Sequence, residues 1–217
     1  MIRIVIVDDH DLVREGIRAL LEQDPVFQVV GETGDGQEAI RMATRLRPDV
    51  LLMDVSLPGG IGGLEATEAI VADCPGVKVI ILTQYEHREY IKRAIRIGAR
   101  GYLLKRSVAA QLKDAIKTVY QGQRYLHPAA AEELAELVAT GRALEEDDYD
   151  RLTPREKQVF KLLAEGKTSR DIAKYLTISL KTAMTHRTNL MAKLNMHSRA
   201  ELIRYAIRKA IISLEGP

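Results

Sequence analysis

Tryptophan is missing from this chain of 217 residues, and there are only two phenylalanines and one cysteine. Cys74 has no partner for a disulfide, lies beside Pro75-Gly76 in an expected turn, and with five scattered histidines offers no zinc-type spacing. A disulfide-stapled scaffold and a structural zinc domain are both excluded. Long apolar runs are missing too. Ile4 to Val7, Val50 to Met53 and Val79 to Leu82 fall far short of the roughly 20 residues a membrane helix needs. Nothing near Met1 has the pattern of a signal peptide, so the expectation is a cytoplasmic protein with no membrane partner.

What is present divides by charge. The net charge of +2 combines 18 basic and 25 acidic residues up to position 150 with 14 basic and 5 acidic residues from 151 to 217. An acidic first part and a basic second part predict two domains with different partners. A basic segment of this size is a common footprint for a polyanion, with a merely solvated surface as the alternative.

From Met1 to about Gln121, strand-like and helix-like segments alternate five times. The strands are Ile2 to Val7, Phe27 to Thr33, Val50 to Met53, Val77 to Leu82 and Gly101 to Leu104. Helical stretches lie near 11 to 23, 35 to 46, 62 to 73, 87 to 97 and 107 to 121, with apolar residues at three-four spacing such as Leu12, Ile17, Leu20 and Leu21. This alternation predicts an α/β domain, a doubly wound five-stranded parallel sheet covered by helices on both faces.

The strand ends carry the chemistry. The first strand runs into Asp8-Asp9, the third into Asp54, the fourth into Thr83 and the fifth into Lys105. Parallel strands share one carboxyl edge, so three acids, a hydroxyl and an ammonium are expected to converge. Three carboxylates repel one another unless a hard cation such as Mg²⁺ is shared among them. Acids, metal and lysine together suit receipt of a phosphoryl group, with Asp54 as nucleophile, Lys105 neutralising oxygens and Thr83 donating a hydrogen bond.

Val7-Asp8-Asp9-His10, Leu52-Met53-Asp54 with Pro58, Ile81-Leu82-Thr83 and Gly101-Tyr102-Leu103-Leu104-Lys105 resemble the flavodoxin-like receiver domain of bacterial response regulators, over residues 1 to 121. The resemblance implies that a sensor histidine kinase phosphorylates Asp54. It also implies that Asp8, Asp9 and Asp54 with the Ser56 backbone carbonyl bind Mg²⁺, and that Thr83 and Tyr102 form a switch pair. Without the resemblance, Tyr102 reads as a half-buried strand tyrosine with its hydroxyl in water. Two departures stand out. Gly59-Gly60-Ile61-Gly62-Gly63 is longer and more glycine-rich than the usual turn after Pro58, which predicts a flexible loop, and Arg106 replaces the proline that commonly follows the lysine. Gly34-Asp35-Gly36-Gln37-Glu38-Ala39 fits a dinucleotide fingerprint, but the first strand-helix turn, where that fingerprint belongs, holds Asp8-Asp9 instead.

Residues 122 to 150 read as a connector. His127-Pro128 opens a helix over Ala129 to Thr140 with apolar Leu134, Leu137 and Val138, and Gly141 closes it. Glu145-Glu146-Asp147-Asp148 with Asp150 forms an acidic linker, either solvated or folded back on the basic domain.

From 151 to 217 the punctuation predicts a smaller all-α four-helix domain. Capping boxes open at Thr153, Thr168 and Ser198, Ser179 caps a third helix running to about Leu194, and the short turn at Leu176 to Ile178 makes a helix-turn-helix. On the third helix, Ala183, Leu190 and Leu194 with the Arg187 stem are expected to pack inward, leaving Lys181, Met184, Thr185 and Thr188 facing outward. Leu152-Thr153-Pro154-Arg155-Glu156, Leu163-Ala164-Glu165-Gly166-Lys167, Asp171-Ile172-Ala173 and Ser179-Leu180-Lys181-Thr182 followed by His186 resemble the LuxR-type domain of the NarL/FixJ response regulators. That resemblance implies double-stranded DNA as partner, with phosphate contacts from Lys181 and near Thr182 and base-reading positions at Met184, Thr185 and Thr188; Arg187 is counted with the DNA contacts. Met184 replaces a common lysine, so apolar contact with a thymine methyl is expected. His186 either touches a phosphate or packs. The last helix carries two apolar stripes, Leu202 with Ala206 and Ile203 with Ile207 and Ala210; one suffices for the core, leaving the other for a dimer contact or a wider core.

The expected function is a phosphorylation-activated, DNA-binding transcription regulator that dimerises when phosphorylated, with RNA polymerase as a further partner and no enzyme activity on outside substrates. The alternatives are a magnesium-dependent phosphohydrolase working through an aspartyl phosphate, which lacks a second acid two positions after Asp54, and a regulator that ignores phosphorylation.

Overall fold

The computed structural model describes residues 1–84, 88–139, 148–209 and 211–212. Gly141, the acidic residues Glu145, Glu146 and Asp147, Ala210, and the side chains of Leu137 and Val138 lie outside the described residues. The chain forms two compact units.

The first unit is built on a parallel sheet. Its strands are β1 (Ile2–Val7), β2 (Phe27–Thr33), β3 (Val50–Asp54), β4 (Lys78–Thr83), β5 (Gly101–Leu104) and β6 (Tyr125–Leu126), ordered β2-β1-β3-β4-β5-β6. The helices are α1 (Asp11–Glu22), α2 (Gly36–Leu46), α3 (Gly63–Asp73), α4 (Arg88–Arg96), α5 (Val108–Tyr120) and α6 (Pro128–Ala139). β3 is buried along its whole length, which four consecutive apolar residues require of a central strand covered on both faces. Alternation then sorts the sheet. Ile4, Ile6, Val50, Leu52, Ile80, Leu82 and Leu103 face a core shared with Ile17 and Leu21 of α1 and Leu112, Ala115, Ile116 and Val119 of α5.

Two expectations change and one holds. The sheet has six strands rather than five, because Tyr125 N–H donates to Arg100 O at 3.0 Å and His127 N–H to Tyr102 O at 3.0 Å, pairing the connector with β5. A two-residue strand is too short to leave a period. Leu12 is 81% exposed and not part of the core; it lies five residues before Ile17, whereas Val13, four before, takes the inward position. Gly34-Asp35-Gly36 serves the α/β turn: Asp35 caps α2 by accepting from Glu38 N–H, and a Cβ at Gly34 would stand 3.1 Å from Asp9 Cα.

The second unit consists of α7 (Pro154–Ala164), α8 (Ser169–Tyr175), α9 (Leu180–Lys193) and α10 (Arg199–Arg208), preceded by a short 3-10 turn at Asp148–Arg151. Both boxes at Thr153 and Thr168 are complete. At Ser198 only half the box forms: its side chain accepts from Glu201 N–H, while the Glu201 carboxylate takes His197 N–H at 2.8 Å. Tyr149 and Phe160 meet edge-to-face, centroids 5.3 Å apart, in a core that includes Leu163, Ile172, Ala183, Leu190, Leu202 and Ala206. Between α8 and α9, Thr177 adopts a left-handed conformation (φ +53°), and Ile178 N–H reaches Ala173 O at 2.9 Å, which closes the tight turn. Ile203 and Ile207 are half-buried.

Candidate functional site

The carboxyl edge of the sheet gathers the predicted residues because β1 and β3 are neighbours at the point where the strand order reverses. Asp8, Asp54 and Lys105 each continue the strand row that faces the α1–α5 core. They therefore emerge on one side, just where the apolar row ends. Lys105, in the 3-10 turn that follows β5, places Nζ 2.8 Å from Asp54 Oδ2 and 2.7 Å from Asp8 Oδ2. Asp8 and Asp54 are buried, Asp9 is half-buried, and Ser56 N–H donates to Asp54 Oδ1 at 3.2 Å.

Burial raises the Asp54 carboxyl above its ordinary pKa, with Asp8 adding to the rise and Lys105 opposing it. Burial also opposes the charge on Lys105, but Asp54 and Asp8 outweigh it and hold the ammonium above the ordinary lysine value. One cation faces two buried carboxylates, with Asp9 adjacent, so negative charge is in excess.

The acids fit a hard divalent cation. Asp8 Oδ2 and Asp9 Oδ1 are buried oxygens with no aligned hydrogen bond; the first lies 2.7 Å from Lys105 Nζ and the second 2.8 Å from His10 Nδ1. Donor atoms from Asp8, Asp9, His10 and Asp54 all lie within 4.8 Å of one another. Oxygen-rich donors of this kind suit Mg²⁺.

Thr83, 1% exposed, follows Leu82, the register partner of Asp54. Tyr102 pairs with Ile81, so Thr83 and Tyr102 lie on the same sheet face as diagonal neighbours. Tyr102 is buried, not half-buried with its hydroxyl in water.

Two contributors have no role assigned from the sequence, although His10 stands in the Val7-Asp8-Asp9-His10 motif. His10 stands at the N-cap position of α1 with no capping hydrogen bond from its side chain, its Nδ1 touching both acids, and Arg14 Nη1 donates to Asp8 O at 2.6 Å, fixing the backbone that aims the carboxylate. Spacing cannot show either contact.

The glycine loop also reads differently in three dimensions. Gly62 and Gly63 are buried and open α3, and a Cβ at Gly63 would stand 1.7 Å from Asp54 O. Close approach, rather than flexibility, is what demands glycine there. Gly63→Ala is expected to cost about 3 kcal/mol of stability by forcing α3 off β3. Urea unfolding checks this, and an unchanged midpoint would refute the close-packing account.

On α9, Lys181, Thr182, Met184, Thr185 and Thr188 are all exposed, and Leu180, Lys181, Met184, Thr185, Thr188 and Asn189 line one shallow open surface. Ala183, Leu190 and Leu194 are buried as expected. Arg187 is exposed and joins the outward residues, while His186 is half-buried; the inward line runs through 183, 186 and 190, leaving Arg187 at its edge with its charge in water.

Among the described residues no helix is long and apolar enough to cross a membrane. Residues 4–117 match the response regulator receiver domain, and residues 150–206 match bacterial regulatory proteins of the luxR family. The chain is 38% identical over 214 residues to the oxygen regulatory protein NreC of Staphylococcus carnosus, covering 97% of this chain and 99% of that one. It is 39% identical over 215 residues to the transcriptional regulatory protein LiaR of Bacillus subtilis, covering 98% and 100%. The RcsB response regulator of Salmonella typhimurium, solved in a study of its DNA interaction, aligns with a TM-score of 0.57 at 28% identity over 94% of this chain and 97% of that chain. With an acidic pocket at the sheet edge and an exposed helix-turn-helix surface in one chain, the protein belongs to the NarL/FixJ family of two-component response regulators, phosphorylation-dependent DNA-binding regulators of transcription.

Proposed function

We propose that Asp54 is the phosphoacceptor, that Lys105 and Thr83 complete its site, and that phosphorylation is read out through Tyr102 to the DNA-binding helix α9. The convergence of Lys105 on Asp54 and Asp8 at the sheet edge supports this most directly. An Asp54 oxygen attacks phosphorus, the O–P bond forms as the N–P bond to a kinase phosphohistidine breaks, and the imidazole leaves with a proton. Lys105 then turns from the carboxylate to a phosphoryl oxygen, and Thr83 donates to another. Asp8, Asp9, Asp54 and the Ser56 carbonyl are the residues that would hold Mg²⁺, which supplies charge neutralisation when bound.

The path outward starts at β5. Its Tyr102 carbonyl accepts from His127 at the entrance to α6, and Arg88 of α4 pairs with Glu136 of α6 at 2.9 Å. A shift of Tyr102 therefore acts on the connector as well as on α4. Lys181, Thr182 and Arg187 meet phosphates, and Met184, Thr185 and Thr188 read bases, in a phosphorylated homodimer spanning two half-sites. A cytoplasmic setting and RNA polymerase as a further partner complete the reading.

Acetyl phosphate with Mg²⁺ tests it. Intact mass should show one phosphoryl group on the wild type and none on Asp54→Asn; equal uptake by both would place the acceptor elsewhere.

A further inference from the structure

Lys193 is the one basic residue in the last turn of the recognition helix, and its surroundings differ from those of the outward set. By helical geometry it lies about 60° from buried Leu190 and about 140° from Thr188. Its ammonium stands 2.7 Å from Glu156 Oε2 on α7. That same oxygen accepts from Thr153 N–H at 2.8 Å and from Thr153 Oγ at 3.0 Å, and Glu156 is only 4% exposed. Burial opposes the charge on Glu156, but Lys193 and Thr153 outweigh it and hold the carboxyl below its ordinary pKa.

One oxygen thus ties the first turn of α7 to the last turn of α9. We propose that the Glu156–Lys193 pair is a positioning device that fixes how α9 is presented to DNA, and that Lys193, although a recognition-helix lysine, makes no phosphate contact. Turning Lys193 toward a phosphate would leave a carboxylate buried without its cation, so its charge is already committed. Base contacts tolerate less displacement than phosphate contacts, because only they depend on the exact depth and rotation of the helix in the groove. Loosening the tie therefore removes specificity before it removes binding. The inference rests on the outward face of α9 meeting DNA.

The test uses the full chain and two duplexes, the tightest recovered from a randomised pool with wild-type protein and a shuffled one of equal composition. Lys193→Met and Glu156→Gln should each weaken binding to the selected duplex about tenfold while changing the shuffled duplex less than twofold, with the salt slope unchanged. Lys193→Arg should restore most of the loss. If Glu156→Gln does not fold, Lys193→Met carries the test alone, since its lysine is 41% exposed. Equal weakening on both duplexes with a slope lowered by about one would make Lys193 a phosphate contact and overturn the proposal. No change on either duplex would overturn it as well. Thr185→Glu leaves the pair intact, so retention of full DNA affinity by that variant would refute the DNA-facing reading of α9 separately.

Discussion

Lys105→Met should lower the stability of the first unit by about 3 kcal/mol in metal-free buffer at neutral pH, because it leaves two buried carboxylates without their shared cation. The loss has a defined pH course. Burial already raises the folded pKa of Asp54 above its ordinary 3.8, so its ionisation costs stability once pH rises past that value. Removing Lys105 deepens this cost. The deficit should thus be fully present at neutral pH and shrink as pH falls toward the ordinary aspartate range. The wild-type contribution of Lys105 runs the opposite way: its folded pKa lies above 10.5, so it is present below that value and lost as pH rises through the raised one. Phosphoryl uptake from acetyl phosphate should also fall about 100-fold, the usual cost of deleting a charge donor at a reacting oxygen. Saturating Mg²⁺ should recover part of the stability and little of the rate, since a cation can neutralise the acids without standing where Nζ stands. Chemical unfolding with and without Mg²⁺, alongside an uptake time course, measures both. Wild-type stability and uptake in the variant would contradict the site as described.

Thr185→Glu should reduce DNA affinity about 100-fold, or ~2.7 kcal/mol, without unfolding the second unit. Thr185 is exposed at the centre of the outward face of α9, and its Oγ donates only to Lys181 O at 3.0 Å, a bond within its own helix. Glutamate is a better helix former than threonine, so the helix survives and only its charge toward a polyanion changes. Anisotropy titration on a selected duplex reads the effect. Affinity within twofold of wild type would move the DNA interface away from this face.

The strand ends were legible in the sequence because burial on both faces leaves unbroken apolar runs, and those runs stop where Asp8, Asp54, Thr83 and Lys105 begin. The helix-turn-helix was legible through its caps, since Thr153, Thr168 and Ser179 each precede a helix directly and accept from the backbone N–H three residues ahead. What stayed hidden depends on long-range contact. β6 has two residues and exists because Arg100 and Tyr102 offer carbonyls to it. His186, which could equally have touched a phosphate or packed, is half-buried, and Arg187, whose stem was expected to pack inward, is exposed. The need for glycine at position 63 arises from Asp54, nine residues earlier in sequence and in contact only after folding.

DNA affinity before and after acetyl phosphate treatment, for wild type and Asp54→Asn side by side, tests the central claim most directly. The account predicts that affinity rises in the wild type in step with phosphoryl uptake and stays constant in Asp54→Asn. An equal rise in both proteins, or full phosphorylation of the wild type with no change in affinity, would contradict it.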